Sequence, residues 1–142
     1  MGLSMKYQQL AMGFGGKASL TVKRPILRYY GGGWQRAEWT VVHFPPHEVY
    51  CEPCFGAGSV LLHTTIARRE IANDIDGRVM NFHEVLRSQP TNLIEQIRLT
   101  PWHEGEYQRC LQTAENPLED ARRFFFLCWA SIKGGSSPSK SD

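Results

Sequence analysis

The sequence predicts an α/β chain in which parallel strands are flanked by helices and followed by a helical segment. Three observations carry this. Val49-Tyr50-Cys51 is a short apolar run that leads into a glycine-rich turn, Phe55-Gly56-Ala57-Gly58-Ser59. A second run, Glu70-Ile71-Ala72-Asn73-Asp74, ends on a carboxylate. Beyond residue 76 apolar residues recur only at helical spacing.

A strand, a glycine turn, a helix and a second strand with an acidic end form the grammar of a nucleoside-cofactor site at the carboxyl edge of a parallel sheet. Gly56 and Gly58 allow a sharp turn and close approach of a ligand where a Cβ would collide. Asp74, sixteen residues after Gly58, is placed to accept hydrogen bonds from ribose hydroxyls. A tight turn followed by a helix cap accounts for the same residues.

In chain order, residues 1–23 show no clean periodicity and read as a flexible basic extension. Gly13-Phe14-Gly15-Gly16-Lys17-Ala18 departs from a phosphate loop, because Ala18 stands where a Ser or Thr would meet Mg²⁺ and no strand precedes it. Gly31-Gly32-Gly33 forms a second glycine turn. A helix follows over 34–44, with Trp34, Ala37, Val41 and Val42 at helical spacing, until Pro45-Pro46 stops it. A strand over 49–51, buried on both faces, is expected next, then a helix over 59–65 and a strand ending at Asp74. A helix over 78–88 shows one apolar face, Val79, Phe82, Val85 and Leu86, and Pro90 ends it. Thr91 or Asn92 caps a short helix through Leu99, and Thr100-Pro101 opens another. Asn116-Pro117-Leu118-Glu119 is a capping-box start for a helix to about Ile132 that buries Phe124, Phe125, Leu127, Cys128 and Ile132. Residues 133–142, rich in Gly and Ser, read as a disordered tail. Two strands do not make a doubly wound sheet; they read as the front end of one.

The totals narrow the function classes. The 142 residues, 42% hydrophobic and 21% charged, describe one globular domain. No apolar run approaches the roughly 18 residues of a membrane span, and the start lacks the apolar block of a signal peptide. A cytoplasmic protein without membrane association is expected. The net charge of +2 is unevenly spread: Lys6, Lys17, Lys23, Arg24, Arg28 and Arg36 precede the first acid. Such an arm fits either phosphate contact or a solvated tail.

Cys51-Glu52-Pro53-Cys54 is a CxxC after a strand, so a thiol redox pair is a rival reading. A redox pair calls for a helix starting at the first cysteine, whereas the glycines postpone the helix by a turn. Cys110 and Cys128, separated by seventeen residues, do not complete a four-thiolate zinc site, and no metal is expected.

Taken together, Tyr29-Tyr30-Gly31-Gly32-Gly33, Glu52-Pro53-Cys54-Phe55-Gly56-Ala57-Gly58-Ser59 and Asn73-Asp74-Ile75-Asp76 resemble, in order and spacing, the S-adenosylmethionine-dependent DNA adenine methyltransferases of the Dam class. The family patterns are aromatic-x-Gly-Gly-Lys, (Asp/Glu)-Pro-Phe-x-Gly-x-Gly-Ser and (Asn/Ala)-Asp-(Ile/Leu)-(Asp/Asn). The resemblance covers about residues 25–132 and implies a partial Rossmann-like methyltransferase fold over 24–132, ending in the start of a helical recognition segment. It implies S-adenosylmethionine as cofactor, with Tyr29, Gly31, Gly32, Gly33, Glu52, Phe55, Gly56, Ala57, Gly58 and Asp74 around it. On this resemblance, Asp74 holds the ribose, amides of residues 56–59 and the following helix start receive the methionine carboxylate, and Asn73 or Ile75 flanks the adenine.

Two departures stand out. Gly33 replaces the family's lysine, removing a charge-assisted contact of about 1.5–3 kcal/mol unless Arg28 or Arg36 substitutes. The catalytic (Asp/Asn/Ser)-Pro-Pro-(Tyr/Phe/Trp) loop, which holds an adenine flipped from the duplex, has no counterpart; Phe44-Pro45-Pro46-His47 lacks the leading polar residue. The resemblance therefore implies the cofactor half of an enzyme acting on double-stranded DNA, with no catalytic residue in this chain. The catalytic half lies downstream or on a partner chain, and the isolated chain is expected not to methylate DNA. A non-catalytic cofactor-binding module is the alternative.

Overall fold

The computed structural model describes residues 22–132. The expected extension over residues 1–23 (all but its last two residues), the Gly13 loop and the 133–142 tail lie outside the described residues. Among the described residues there are five helices and a two-stranded parallel sheet, an α/β arrangement. The chain divides into two compact units. One holds Gly32–Ile75, and the other combines Leu27–Gly31 with the chain from Asp76 onward.

In the α/β unit, helix α1 (Trp34–Val41) starts at Gly33, which serves as N-cap without a side-chain bond. It is shorter than the expected 34–44, and of its apolar stripe only Ala37 is fully buried; Val42, just past its end, is 71% exposed. Strands β1 (Val49–Glu52) and β2 (Arg69–Ala72) pair in parallel, Val49 opposite Arg69 and Glu52 opposite Ala72. The Asn73 amide extends the ladder to the Glu52 carbonyl at 3.0 Å.

Two expectations fail in this unit. The strands are not buried on both faces. Side chains alternate along a strand, and the core of Tyr50, Phe55, Leu61 and Ala67, with Phe44, Val60 and Ala72 against it, covers one face. The other face leaves Val49, Cys51 and Ile71 exposed. Nor does a helix form over 59–65. The Leu62 amide reaches the Gly58 carbonyl and that of Thr64 reaches Val60, each at 3.0 Å, but no regular helix grows from these turns. Thr64, Thr65 and Ile66 are β-branched and poor helix formers, and the crossover must become extended again before β2 opens at Arg69.

The helical unit comprises α2 (Gly77–Ser88), α3 (Pro90–Leu99), α4 (Glu104–Cys110) and α5 (Pro117–Ala130). Asp76 caps α2, accepting from the Arg78 amide at 2.9 Å. Pro90 follows the end of α2 and also occupies the first position of α3, where its missing N–H costs nothing; the cap is Gln89, not Thr91 or Asn92. Helix α4 starts three residues later than Pro101 suggests, with His103 as cap. Thr100 stays extended, its hydroxyl donating to the Gln96 carbonyl at 2.7 Å and accepting from Arg122 at 3.1 Å.

Asn116 caps α5 through the Glu119 amide at 3.1 Å. The capping box is only half formed, because the Glu119 carboxylate turns forward to Arg122 and Arg123, each at 2.7 Å. Phe124 is fully buried among Tyr29, Phe82 and the Arg78 guanidinium. Phe126 is buried as well, whereas Phe125 is partly exposed, and Ile132, past the helix end, is 92% exposed. On α2, His83 joins the expected Val79, Phe82 and Val85 inside, while Leu86 is only partly covered.

Candidate functional site

The glycine turn after β1 is stitched to the chain just past β2. The Phe55 amide donates to the Asn73 carbonyl at 2.9 Å, and the Gly56 amide donates to Asp74 Oδ2 at 2.8 Å. Asn73 Nδ2 reaches the Pro53 carbonyl at 3.5 Å. Parallel pairing brings both carboxyl ends to the same edge, so residues distant in sequence meet there. The Gly58 amide closes the turn on the Phe55 carbonyl at 2.8 Å.

Both glycines are required by geometry. Gly56 and Gly58 have φ of 49° and 65°, in the left-handed region. At Gly58 a Cβ would also meet the Phe55 ring at 2.7 Å. Phe55 and Ala57 are 4% and 2% exposed, so their side chains belong to the core and what they offer a ligand is backbone.

Glu52 faces inward, accepting from the Tyr50 hydroxyl at 2.7 Å and from the Leu61 amide. Burial raises its carboxyl above the usual range, while these two donors pull it back. Burial, then the Glu52 carboxylate, pushes the Tyr50 phenol up in turn. Tyr50 was not among the residues singled out from sequence. Its position two residues before Glu52, hence on the same strand face, is the signal that identifies it.

Of the other expected residues, Gly32 and Gly33 precede α1, whose Trp34 ring lies 4.4 Å from that of His63 in the crossover. Gly33 has φ of −88° and nothing within 4 Å of a would-be Cβ. Tyr29 and Gly31 belong to the helical unit. There the Tyr29 hydroxyl donates to Asp76 Oδ2 at 3.3 Å and its ring lies 6.1 Å from Phe124, while Gly31 takes φ of 75°. The structure thus brings together Glu52, Phe55, Gly56, Ala57, Gly58 and Asp74 in one turn. The expected helix N-terminus after it is replaced by single turns.

The turn carries both polar and apolar groups that a ligand can meet. A carboxylate accepts about four hydrogen bonds, so Asp74 can accept from a ligand hydroxyl as well as from Gly56. Next to it Ile75 is fully exposed, a bare apolar side chain suited to a ring face. Ser59, 5% exposed, carries a hydroxyl with no hydrogen-bond partner. Among the described residues no group of three or more His, Cys, Asp or Glu could hold a metal ion, and no helix is long and apolar enough to cross a membrane.

A parallel strand pair flanked by helices, with a glycine turn pinned to an acidic strand end, makes this an α/β protein. The family model for D12 class N6 adenine-specific DNA methyltransferases matches residues 29–130, and the chain belongs to that family. Two curated relatives from Vibrio cholerae serotype O1, one of the Classical Ogawa and one of the El Tor Inaba strain, are each named DNA adenine methylase. Each is 33% identical over 76 residues, or 54% of this chain and 27% of the relative's length. The matched part therefore spans about a quarter of those relatives.

Proposed function

We propose that this chain is the S-adenosylmethionine-binding part of an adenine-specific DNA methyltransferase, with a partial Rossmann-like fold over residues 24–132. The observation that carries the reading is the 2.8 Å bond from the Gly56 amide to Asp74, which presets a carboxylate beside a glycine turn. In this reading Asp74 accepts hydrogen bonds from the ribose hydroxyls and Ile75 covers one face of the adenine. Backbone groups of residues 56–59 meet the methionine carboxylate, and Glu52 stiffens the turn from beneath. When bound, the sulfonium supplies the methyl group for an adenine exocyclic amine of double-stranded DNA.

No (Asp/Asn/Ser)-Pro-Pro-aromatic tetrapeptide occurs among the 142 residues. The reading therefore assigns the loop that holds the flipped base to polypeptide outside them, in the same protein or on a partner chain. The exposed face of the β1–β2 pair, with Val49 at 55% and Ile71 at 40%, is one that a further layer of helices would cover in the complete enzyme.

Calorimetric titration of S-adenosylmethionine into the chain tests the pocket. Saturable binding is expected, and Asp74→Ala should weaken it more than about tenfold, the loss of a hydrogen bond to a charged group. An unchanged affinity in that variant refutes the ribose assignment. Tritiated methyl transfer to mixed-sequence DNA should stay at background for the chain alone; transfer above background would show that the catalytic groups are present after all.

A further inference from the structure

The CxxC pair is not used by the proposed function, and its setting is unusual. Cys51 lies on the exposed face of β1 opposite Ile71, and Cys54, also exposed, follows the bend at Pro53. Both thiols are free, whereas Cys110 and Cys128 are buried. Burial, together with the adjacent Glu106 carboxylate, pushes the Cys110 thiol up to about 11. A dissolved disulfide must reach the sulfur it reacts with, so exposure directs it to the first pair.

The residues between and beside these two thiols hold the site together. The Glu52 and Pro53 carbonyls accept from the backbone amide and Nδ2 of Asn73 at 3.0 and 3.5 Å. The Phe55 and Gly56 amides donate to the Asn73 carbonyl and the Asp74 carboxylate at 2.9 and 2.8 Å. A disulfide demands Cβ atoms about 3.5–4.5 Å apart and a fixed torsion. Cys51 and Glu52 are held in the strand ladder, and proline fixes φ at Pro53. Adjustment for ring closure therefore falls on the remaining torsions at Pro53 and Cys54, which lie between the bonds made by Glu52 and Pro53 and those made by Phe55 and Gly56.

We propose that Cys51 and Cys54 form a redox-responsive pair, whose closure into a disulfide loosens the Gly56 to Asp74 bond and weakens cofactor binding; the cofactor limb rests on the function proposed above. The oxidant is a small-molecule disulfide of the glutathione type. One protein thiolate attacks it, forming a mixed disulfide and expelling one small thiolate. The second protein thiolate then attacks the protein sulfur of that mixed disulfide and expels the other. Two protein thiols are oxidised, one small disulfide is reduced to two thiols, and the two protein protons end on them.

The test compares the full chain kept in dithiothreitol with the chain equilibrated in oxidised glutathione and then freed of it. The expected result is a loss of two hydrogen atoms in mass, mapped to a Cys51–Cys54 peptide, with faster hydrogen exchange at the Gly56 amide. Affinity for S-adenosylmethionine should fall about tenfold or more, and the Cys51→Ser, Cys54→Ser double variant should respond in neither readout. Two retained thiols, a glutathione adduct alone, or a disulfide that leaves Gly56 exchange or cofactor affinity unchanged would each overturn the proposal. If the reduced chain binds no cofactor, the proposed function fails, while Gly56 exchange still decides whether the pair acts on the turn.

Discussion

The α/β unit and the helical unit achieve order by different means. The first relies on two four-residue strands, a small apolar cluster and a turn that only glycine can make. Its inward carboxylates, Glu52 and Glu70, are held by a phenol and backbone amides, with no ion pair on either among the described residues. The second relies on four helices around Phe82 and Phe124, with its buried carboxylates matched to guanidinium groups. Arg78 meets Asp120 at 3.1 Å and Arg122 meets Glu106 at 2.8 Å, all four side chains at most 10% exposed. One unit pins a glycine turn to a carboxylate; the other is neutralised and packed. The proposed function puts the site on the unit with fewer supports, as expected where a ligand completes the structure.

Phe124→Ala should give the largest effect. The ring is fully buried between Tyr29 and Phe82, and its loss should cost about 3–5 kcal/mol, read as an earlier urea midpoint for helical amides. If the β1–β2 amides lose protection equally, the two units unfold as one and the contrast is cooperative, not local.

Gly58→Ala strikes the other unit. The left-handed φ costs about 1–2 kcal/mol for a non-glycine residue, and the Phe55 ring must also move from a Cβ at 2.7 Å. A loss of about 2 kcal/mol or more is expected, with the Gly56 amide among those exchanging faster. Wild-type stability in this variant would disprove the tight fit of ring and turn.

The pH dependence should have opposite signs in the two units. Hydrogen bonds from Arg122 and then Arg123 outweigh burial and hold the Glu119 carboxyl at about 2, below its ordinary 4.5. Its contribution is complete above pH 4.5 and is lost as pH falls toward 2. At Glu106 burial raises the carboxyl, but the Arg109 and Arg122 bonds together lower it further, adding to the same acid loss. Glu52 is shifted the other way, chiefly by burial, so its contribution is complete below 4.5 and is lost as pH rises through its elevated folded value. Amide exchange of α5 and β1 across pH 2–7 should show this divergence; parallel profiles would remove it.

The smallest effect belongs to Gly33→Ala. With an ordinary φ and nothing within 4 Å of the added methyl, stability should change by less than about 0.5 kcal/mol in the same urea experiment. A larger loss would mean that this glycine, too, is under conformational demand.

Sequence alone determined the features that depend on a few neighbouring residues. The positions of β1 and β2, helix α2, the Asn116 cap with Pro117 behind it and the left-handed turn at Gly56 and Gly58 each follow from local chemistry. The three motifs around them were enough to reveal the family. Tertiary structure decided whatever depends on partners distant in the chain. It turned 59–65 into loose turns, because the crossover must reach β2. It buried Phe126 and His83 and left Ile132 bare, because only packing selects which part of an apolar stretch is covered. It drew the Glu119 carboxylate forward to two arginines and the Tyr29 hydroxyl to Asp76. It also set the Gly56 amide on Asp74, eighteen residues away, because parallel pairing brings two strand ends to one edge.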